Sequence, residues 1–243
     1  EEVFALMELA ETGGLDGVWL AERHFAAPGR PLDAFGAGIP SIGSAPLVLA
    51  SAIAARTSRL RIGIAVSVLP LSHPIRMAEE AATVDQISRG RLDFGVGRSG
   101  FPTAYAGYGI SYEESRERFA EGLDFIIQAW THERFSYQGK YFRVQDLTLV
   151  PRPLQQPHPP IRLAANSPET FPIAAQRGFP IFATPLINPP EKLSAGLKVY
   201  REMFVGNTPP DTALAFPTHV TASRAQARQE CEASLLRFFR EAG

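Results

Sequence analysis

Apolar runs alternate with polar loops and amphipathic stretches along the whole chain. Residues 3–12 carry Phe4, Leu6 and Met7 with Glu8 and Glu11 among them, and Gly13-Gly14 follow. That pattern predicts a helix with a glycine stop. "DGVWLAE" (16–22) predicts a strand, "GSAPLVLASAIAART" (43–57) a helix and "LRIGIAVSVL" (60–69) a strand apolar on both faces. "HPIRMAEEAATVDQIS" (73–88) predicts a helix with Pro74 in its first turn, where a missing amide hydrogen costs little. "RLDFGVG" (91–97) is the next strand, and "SYEESRERFAEGLDFIIQAW" (111–130) a helix whose Ser111 and Glu114 match a capping box. "RFSYQGKYFRV" (134–144) alternates around Gln138-Gly139 and predicts a hairpin inserted between units.

The proline-rich "LVPRPLQQPHPP" (149–160) reads as an extended connector on the surface. "PIRLAAN" (160–166) is a strand. In "SPETFPIAAQRG" (167–178), Ser167 suits the N-cap of a helix, Pro168 its first position and Gly178 its stop. "FPIFATPLI" (179–187) is a strand and 190–204 a helix. "TALAFPTHVTAS" (212–223) is a strand interrupted by Pro217, and 224–241 a helix.

Six strands alternating with helices predict right-handed parallel β/α units. An open doubly wound sheet and a closed barrel both fit. "GVGRSG" is a weak match to the glycine fingerprint of the open fold, since its first glycine lies inside a strand. The barrel is therefore favoured: α/β, of the TIM-type (β/α)8 class. The chain starts on a helix and ends on one, so a first strand and a last β/α unit are expected to be missing. Residues 1–243 are expected to form one domain of a longer chain, with the hairpin at about 134–146.

The chain has 243 residues, 45% of them hydrophobic and 20% charged, with a formal net charge of −1. A single barrel of about 250 residues is usual. The near-zero charge argues against a nucleic-acid partner, which calls for a basic face. The longest apolar run is far short of the roughly 20 residues of a membrane helix, so no membrane partner is expected. A single cysteine, Cys231, excludes an internal disulfide; an inert buried thiol in a cytoplasmic protein is the expectation.

Barrel chemistry sits where strands end. These ends carry Glu22, Arg23 and His24; Ser72 and His73; Arg98, Ser99 and Gly100; Asn166, Ser167 and Thr170; Thr184 and Asn188; and Thr218 and His219. Ser167 begins a helix with free amides and Arg98 offers a forked guanidinium, a combination suited to phosphate. Arg116 opposes the dipole of its helix, which favours a ligand, although Glu113 or Glu117 could pair with it. The five histidines are scattered, so no metal is expected. Only Glu22 is well placed for a carboxylate pair, and Asp93 lies toward the wrong end.

These motifs resemble the bacterial-luciferase-like flavin monooxygenases. "GLDGVWLAERHF", "RTSRLRIGIAVSVLPLSHPIRMAEEAATVDQISRGRLDFGVGRSG", "GYGISYEESRERF" and "PPIRLAANSPETFPIAAQRGFP" match in order over most of the chain. The resemblance implies a β/α barrel that binds FMN. It puts Arg98, Arg116, Ser167 and Thr170 around the FMN phosphate, with Ser99 and Asn166 beside them. It puts Ala65-Val66, joined in many relatives by a cis peptide, under the ring. His73-Pro74 would be structural. His24 would lie near the reactive edge and exchange protons, with Arg23 stabilising anionic reduced flavin.

The light-emitting members have a second histidine where this chain has Arg23, and a cysteine where it has Gly97. Both departures argue for a non-luminescent enzyme. The resemblance implies FMN as FMNH2, O2 as co-substrate and NAD(P)H acting through a separate flavin reductase. It also implies a homodimer packed through 44–57 and 75–88. The loops 26–43 and 99–110 carry few polar handles, which points to a small, apolar or aromatic substrate. A deazaflavin-dependent hydride-transferring enzyme and a non-catalytic flavin-binding protein are the alternatives.

Overall fold

The computed structural model of the protein describes residues 2–25, 42–186, 188–206 and 208–242. Of the two expected substrate loops, 26–43 and 99–110, residues 26–41 lie outside the described residues. In chain order the elements are α1 (Glu2–Thr12), β1 (Gly17–Leu20), α2 (Pro46–Arg56), β2 (Arg61–Ile64), β3 (Ser67–Val68), α3 (Pro74–Ser88), β4 (Leu92–Gly97), α4 (Pro102–Gly107) and α5 (Ser115–Thr131). Then come β5 (Phe135–Gln138), β6 (Arg143–Leu147), β7 (Ile161–Ala164), α6 (Thr170–Gln176), β8 (Ile181–Ala183), α7 (Pro190–Met203), β9 (Thr212–Leu214) and α8 (Arg224–Ala242).

The main sheet runs β1-β2-β4-β7-β8-β9, with β3 also on β4, and every pair is parallel. Strand order follows chain order without reversal. A doubly wound sheet reverses at its switch point, whereas a barrel winds one way. The fold is thus of the (β/α)8 class. β5 and β6 form a separate antiparallel hairpin, as the alternating pattern predicts.

Outward-facing Ile62, Leu92, Phe94, Val96 and Leu163 are buried under the helices; Phe94 meets Trp130 of α5 edge-on, centroids 5.3 Å apart. The inner face is less apolar than the sequence suggests. Arg61 pairs with Asp93 at 2.7 Å, and Arg162 pairs with Asp211 while lying against the Trp19 and Phe182 rings. Asp93 is thus structural, as its early place in the strand predicts. Trp19 crosses the interior to Phe182, centroids 4.6 Å apart. Glycine makes room for it: a Cβ on Gly63 would stand 1.9 Å from the indole.

Several local expectations need correction. The run 60–69 is not one strand: it breaks at a cis Ala65–Val66 peptide into β2 and β3. The strand expected over 212–223 lasts only through Leu214. Ser111 and Glu114 form no capping box; Glu114 instead accepts from Arg118 Nε at 2.7 Å, an i,i+4 pair one turn on. Cys231 is half-buried on α8 rather than fully enclosed.

The proline-rich connector runs along the surface as expected, with Val150 and Leu154 exposed, and is tethered there. Asp85 of α3 is fully buried and accepts from Leu154 N at 2.8 Å, Gln155 N at 2.9 Å and Gln155 Nε2 at 2.7 Å. These bonds fix the approach to β7. His73 caps α3, its Nδ1 accepting from Ile75 N at 3.3 Å, so His73-Pro74 is structural as expected.

Glu11 ties α1 to the start of β2. Its carboxylate accepts from Ser58 N at 2.9 Å, Arg59 N at 2.6 Å and Leu60 N at 2.8 Å. The amides of Arg59 and Leu60 hold its pKa below the ordinary 4.5. A depressed carboxylate contributes stability above the unfolded-state pKa and loses it as pH falls through the folded one. Denaturant titrations from pH 7 down to about 3 should therefore show less acid-induced loss of stability in Glu11→Gln than in the wild type.

Candidate active site

The strand ends converge in two clusters. The first is polar and cationic. Arg98 follows β4 and donates from Nη1 to Ser115 Oγ at 3.0 Å. Tyr105 donates its hydroxyl to the Arg98 carbonyl, and the Arg98 guanidinium lies 5.4 Å from the Tyr112 ring centroid. Burial pushes the Tyr105 phenol up to about 12, so it remains a donor at neutral pH. Arg116 projects from the first turn of α5 and is exposed. Glu117 does not pair with it, because that carboxylate is held by Lys140 Nζ and Tyr141 Oη, each at 2.6 Å.

Both arginines instead act on Glu169. Its carboxylate is held below the ordinary range by its own backbone amide and the Ser167 hydroxyl, then by the charges of Arg116 and Arg98. Ser167 Oγ is 3.0 Å from Thr170 Oγ1. Arg98 and Arg116 after β4, and Ser167 and Thr170 after the neighbouring β7, thus stand at adjacent strand ends, near enough to Glu169 for the two positive charges to be felt there. The expected helix start is corrected: Ser167–Glu169 form a turn and α6 begins at Thr170, so Ser167 is not its N-cap. Asn166 is exposed, its Oδ1 3.4 Å from Asn188 Nδ2.

The second cluster lies at the ends of β1 and β3. A pocket here is lined by Arg23, His24, Val68, Ser99, Phe101 and Thr103. Ser99, next to Arg98, joins the two clusters and holds a left-handed φ of 63°. Arg23 stacks its guanidinium 4.2 Å from the Phe101 centroid, and burial pulls its pKa down from the ordinary value. His24 Nε2 lies 2.7 Å from Glu22 Oε1, and Glu22 Oε2 accepts from Val68 N at 3.0 Å. Tyr108 Oη lies 3.1 Å from His24 Nδ1.

Val66, second residue of the cis pair, packs against β4, where a Cβ on Gly97 would stand 2.4 Å from Val66 Cγ2. The residues that sequence reasoning missed are Glu169, Phe101 and Tyr108. Glu169 lies within the quoted "NSPET" and the other two within a loop read as lacking polar handles. The strand-end inventory after β4 stops at Gly100 and so reaches neither Phe101 nor Tyr108.

The class is that of a singly wound β/α barrel with arginine and hydroxyl side chains beside a Glu–His–Tyr cluster at its strand ends. The chain belongs to the luciferase-like monooxygenase family, whose model matches residues 1–242. It is 30% identical over 233 residues to the flavin-dependent trigonelline monooxygenase, oxygenase component, of Acinetobacter baylyi, covering 94% of this chain and 61% of that one. It is 35% identical over 175 residues to the F420-dependent glucose-6-phosphate dehydrogenase of Kineococcus radiotolerans, covering 70% and 48%. Among solved structures, the monooxygenase RslO1 from Streptomyces bottropensis superposes with a TM-score of 0.87 at 31% identity, covering 99% of this chain and 71% of that one. The chain spans 47–63% of the length of the curated relatives it matches.

Proposed function

We propose that this chain is the oxygenase part of a non-luminescent monooxygenase that uses reduced FMN and O2 to oxygenate a small, apolar organic molecule. The observation that carries the reading is the placement of Arg98 and Arg116 after β4 beside Ser167 and Thr170 after the neighbouring β7, with Ser99 of the Arg23–His24 pocket next to Arg98 in the chain. An anion site next to an acid–base site suits a cofactor with a phosphate at one end and a reactive ring at the other. The donor set fits FMN: two guanidinium groups and the hydroxyls of Ser167 and Thr170 for the phosphate, and the Ala65–Val66 segment beside Gly97 for the ring. Reduced FMN, when bound, supplies the electrons that activate O2.

The chain's own residues hold and protect the reaction. Arg23 presents a fixed positive charge in the pocket, where a negative charge on the ring is stabilised. It cannot act as a base at neutral pH, and this argues against light emission. His24, a titratable ring lining the pocket, takes part in proton exchange with the bound ligand. Phe101, Val68 and Ala104 give the pocket apolar walls, which favour an apolar substrate and limit water. FMNH2 comes from a separate reductase that uses NAD(P)H; the name of the trigonelline relative, an oxygenase component, supports this division. The protein acts in the cytoplasm as a homodimer through α2 and α3.

Absorption and mass of the cofactor that copurifies, with fluorescence titrations of FMN and of the F420 deazaflavin, test the reading. FMN or its reduced form should bind tightly and the deazaflavin weakly; the reverse order would identify a hydride-transferring enzyme. In substrate screens under reduced FMN and O2, His24→Ala is expected to lower product formation by about 10²–10⁴-fold, the usual contribution of general acid–base catalysis. An unchanged rate would remove His24 from the chemistry.

A further inference from the structure

His24 has no free nitrogen. Its side chain is 7% exposed, and that of Glu22 is 6% exposed. A carboxylate only accepts, so Nε2–H points at Glu22 Oε1, 2.7 Å away. Glu22 cannot swing off, since its other oxygen is held by Val68 N at 3.0 Å. In the neutral ring Nδ1 is then an acceptor, and the group in front of it is the Tyr108 hydroxyl at 3.1 Å. The Tyr108 ring also meets the imidazole edge-on, with centroids 5.0 Å apart. A proton can therefore reach or leave His24 along one route that breaks no contact with Glu22, and that route passes through Tyr108.

We infer that the Tyr108 hydroxyl is the proton-exchanging end of this site, with His24 as the relay behind it and Glu22 as the positioning residue that fixes the ring. Tyr108 is 46% exposed, so its oxygen can meet a ligand that the enclosed imidazole cannot. When His24 is neutral, Tyr108 O–H donates to Nδ1 and its lone pairs face outward. When His24 carries a second proton, Nδ1–H donates to Tyr108 Oη and the phenol hydrogen turns outward. A ligand oxyanion then takes the phenol proton as Nδ1–H replaces it, which leaves a neutral ring, an intact phenol and a protonated ligand. Burial and the charge of Glu22 raise the Tyr108 pKa, so the phenol keeps its proton between turnovers. The ligand class this arrangement serves is an oxygen base next to the pocket, on the cofactor or the substrate. Phe25 and Phe101 line the same pocket, and Phe25 packs on Tyr108 with centroids 5.8 Å apart, which helps hold the phenol against His24.

The inference rests on the reading of His24 as a proton-exchanging residue, and the test separates the two. Histidine-ring nitrogen NMR of the flavin-free protein, with His24→Gln to assign the signal, should show the Nε2–H tautomer for the neutral ring. Tyr108→Phe should move the Nδ1 signal and keep that tautomer, whereas Glu22→Gln should lose the tautomer preference. An Nδ1 signal indifferent to Tyr108→Phe would overturn the inference without any turnover.

The second measurement is the rate at which protein-bound reduced FMN is reoxidised by O2. His24→Gln and Tyr108→Phe should each slow it by about 10²-fold, at the low end for acid–base groups, and the double variant should be no slower than either. A solvent deuterium isotope effect present in the wild type should vanish in Tyr108→Phe, which a loss of packing alone would not produce. If His24→Gln reoxidises at the wild-type rate, the reading of His24 fails. If His24→Gln is slow and Tyr108→Phe is not, the relay through Tyr108 is wrong and His24 acts directly.

Discussion

Replacing Arg98 and Arg116 together by alanine is expected to weaken FMN binding by about 10²–10⁴-fold. Each charge-assisted contact is worth about 1.5–3 kcal/mol, so two amount to about 3–6 kcal/mol, and every 1.4 kcal/mol is tenfold. The two arginines should not share the loss equally. Arg98 is part-buried and braced by Ser115, whereas Arg116 is exposed and screened by salt. Arg98→Ala alone should therefore cost more, and the Arg116 contribution should shrink as ionic strength rises. Glu169 supplies a control of opposite sign. The charges of Arg98 and Arg116 are felt at its carboxylate, so removing that negative charge in Glu169→Gln should leave FMN affinity equal or higher. Calorimetric or fluorescence titration measures all of these. Unaltered affinity in the double alanine variant would place the phosphate elsewhere.

The second large effect is on stability. Asp85→Ala removes the acceptor for two backbone amides and one side-chain amide, all at a fully buried position. The cost is about 3–5 kcal/mol, since three donors each lose a bond to a charged acceptor and a buried side chain leaves a gap behind it. For a domain of this size about 1 kcal/mol moves Tm by 2–4 °C, so a fall of about 6–20 °C is expected in thermal unfolding. Asp85→Asn should be milder. Its remaining oxygen can still accept from Leu154 and Gln155, and the Gln155 amide can rotate to meet the new NH2 group. The effect should reach the site as well, because the tethered connector feeds β7, which in turn presents Asn166, Ser167 and Thr170. A fall of less than about 1 kcal/mol in Asp85→Ala would mean that the connector holds its own course.

The elements with strong periodicity were legible in the chain: α1 with its glycine stop, α3 behind His73-Pro74, the hairpin around Gln138-Gly139 and the parallel strands. The (β/α)8 class followed from their alternation, since a fingerprint for the open alternative was weak. What stayed hidden depended on contacts between distant residues. Asp85 looks like any polar residue of an amphipathic helix, and its partners lie about 70 positions on. The break at Ala65–Val66 could not be read from apolar pattern alone, because both halves of the run are apolar. Ser111 and Glu114 have the spacing of a capping box, but Arg118 one turn later offers Glu114 a charged partner instead. At the site, the chain put Arg98, Arg116, Ser167 and Thr170 at strand ends, while the nearby carboxylate of Glu169 was not read from it. "ERHF" left Glu22 undecided between a structural and a chemical role. In the fold it does both at once, holding Val68 with one oxygen and aiming His24 with the other.

The missing side chain on Gly97 has a consequence for how this protein could change over generations. Val66 fills the volume that any larger residue at 97 would need, so the two positions trade space across the strand boundary. A thiol could not be installed at 97 in one mutational step without displacing the valine. It is accommodated more easily where position 66 is alanine or glycine, which removes the clashing methyl. Descendants that took this route would keep a smaller residue at 66 as its trace, and pairs of residues at these two positions should covary in size among its relatives.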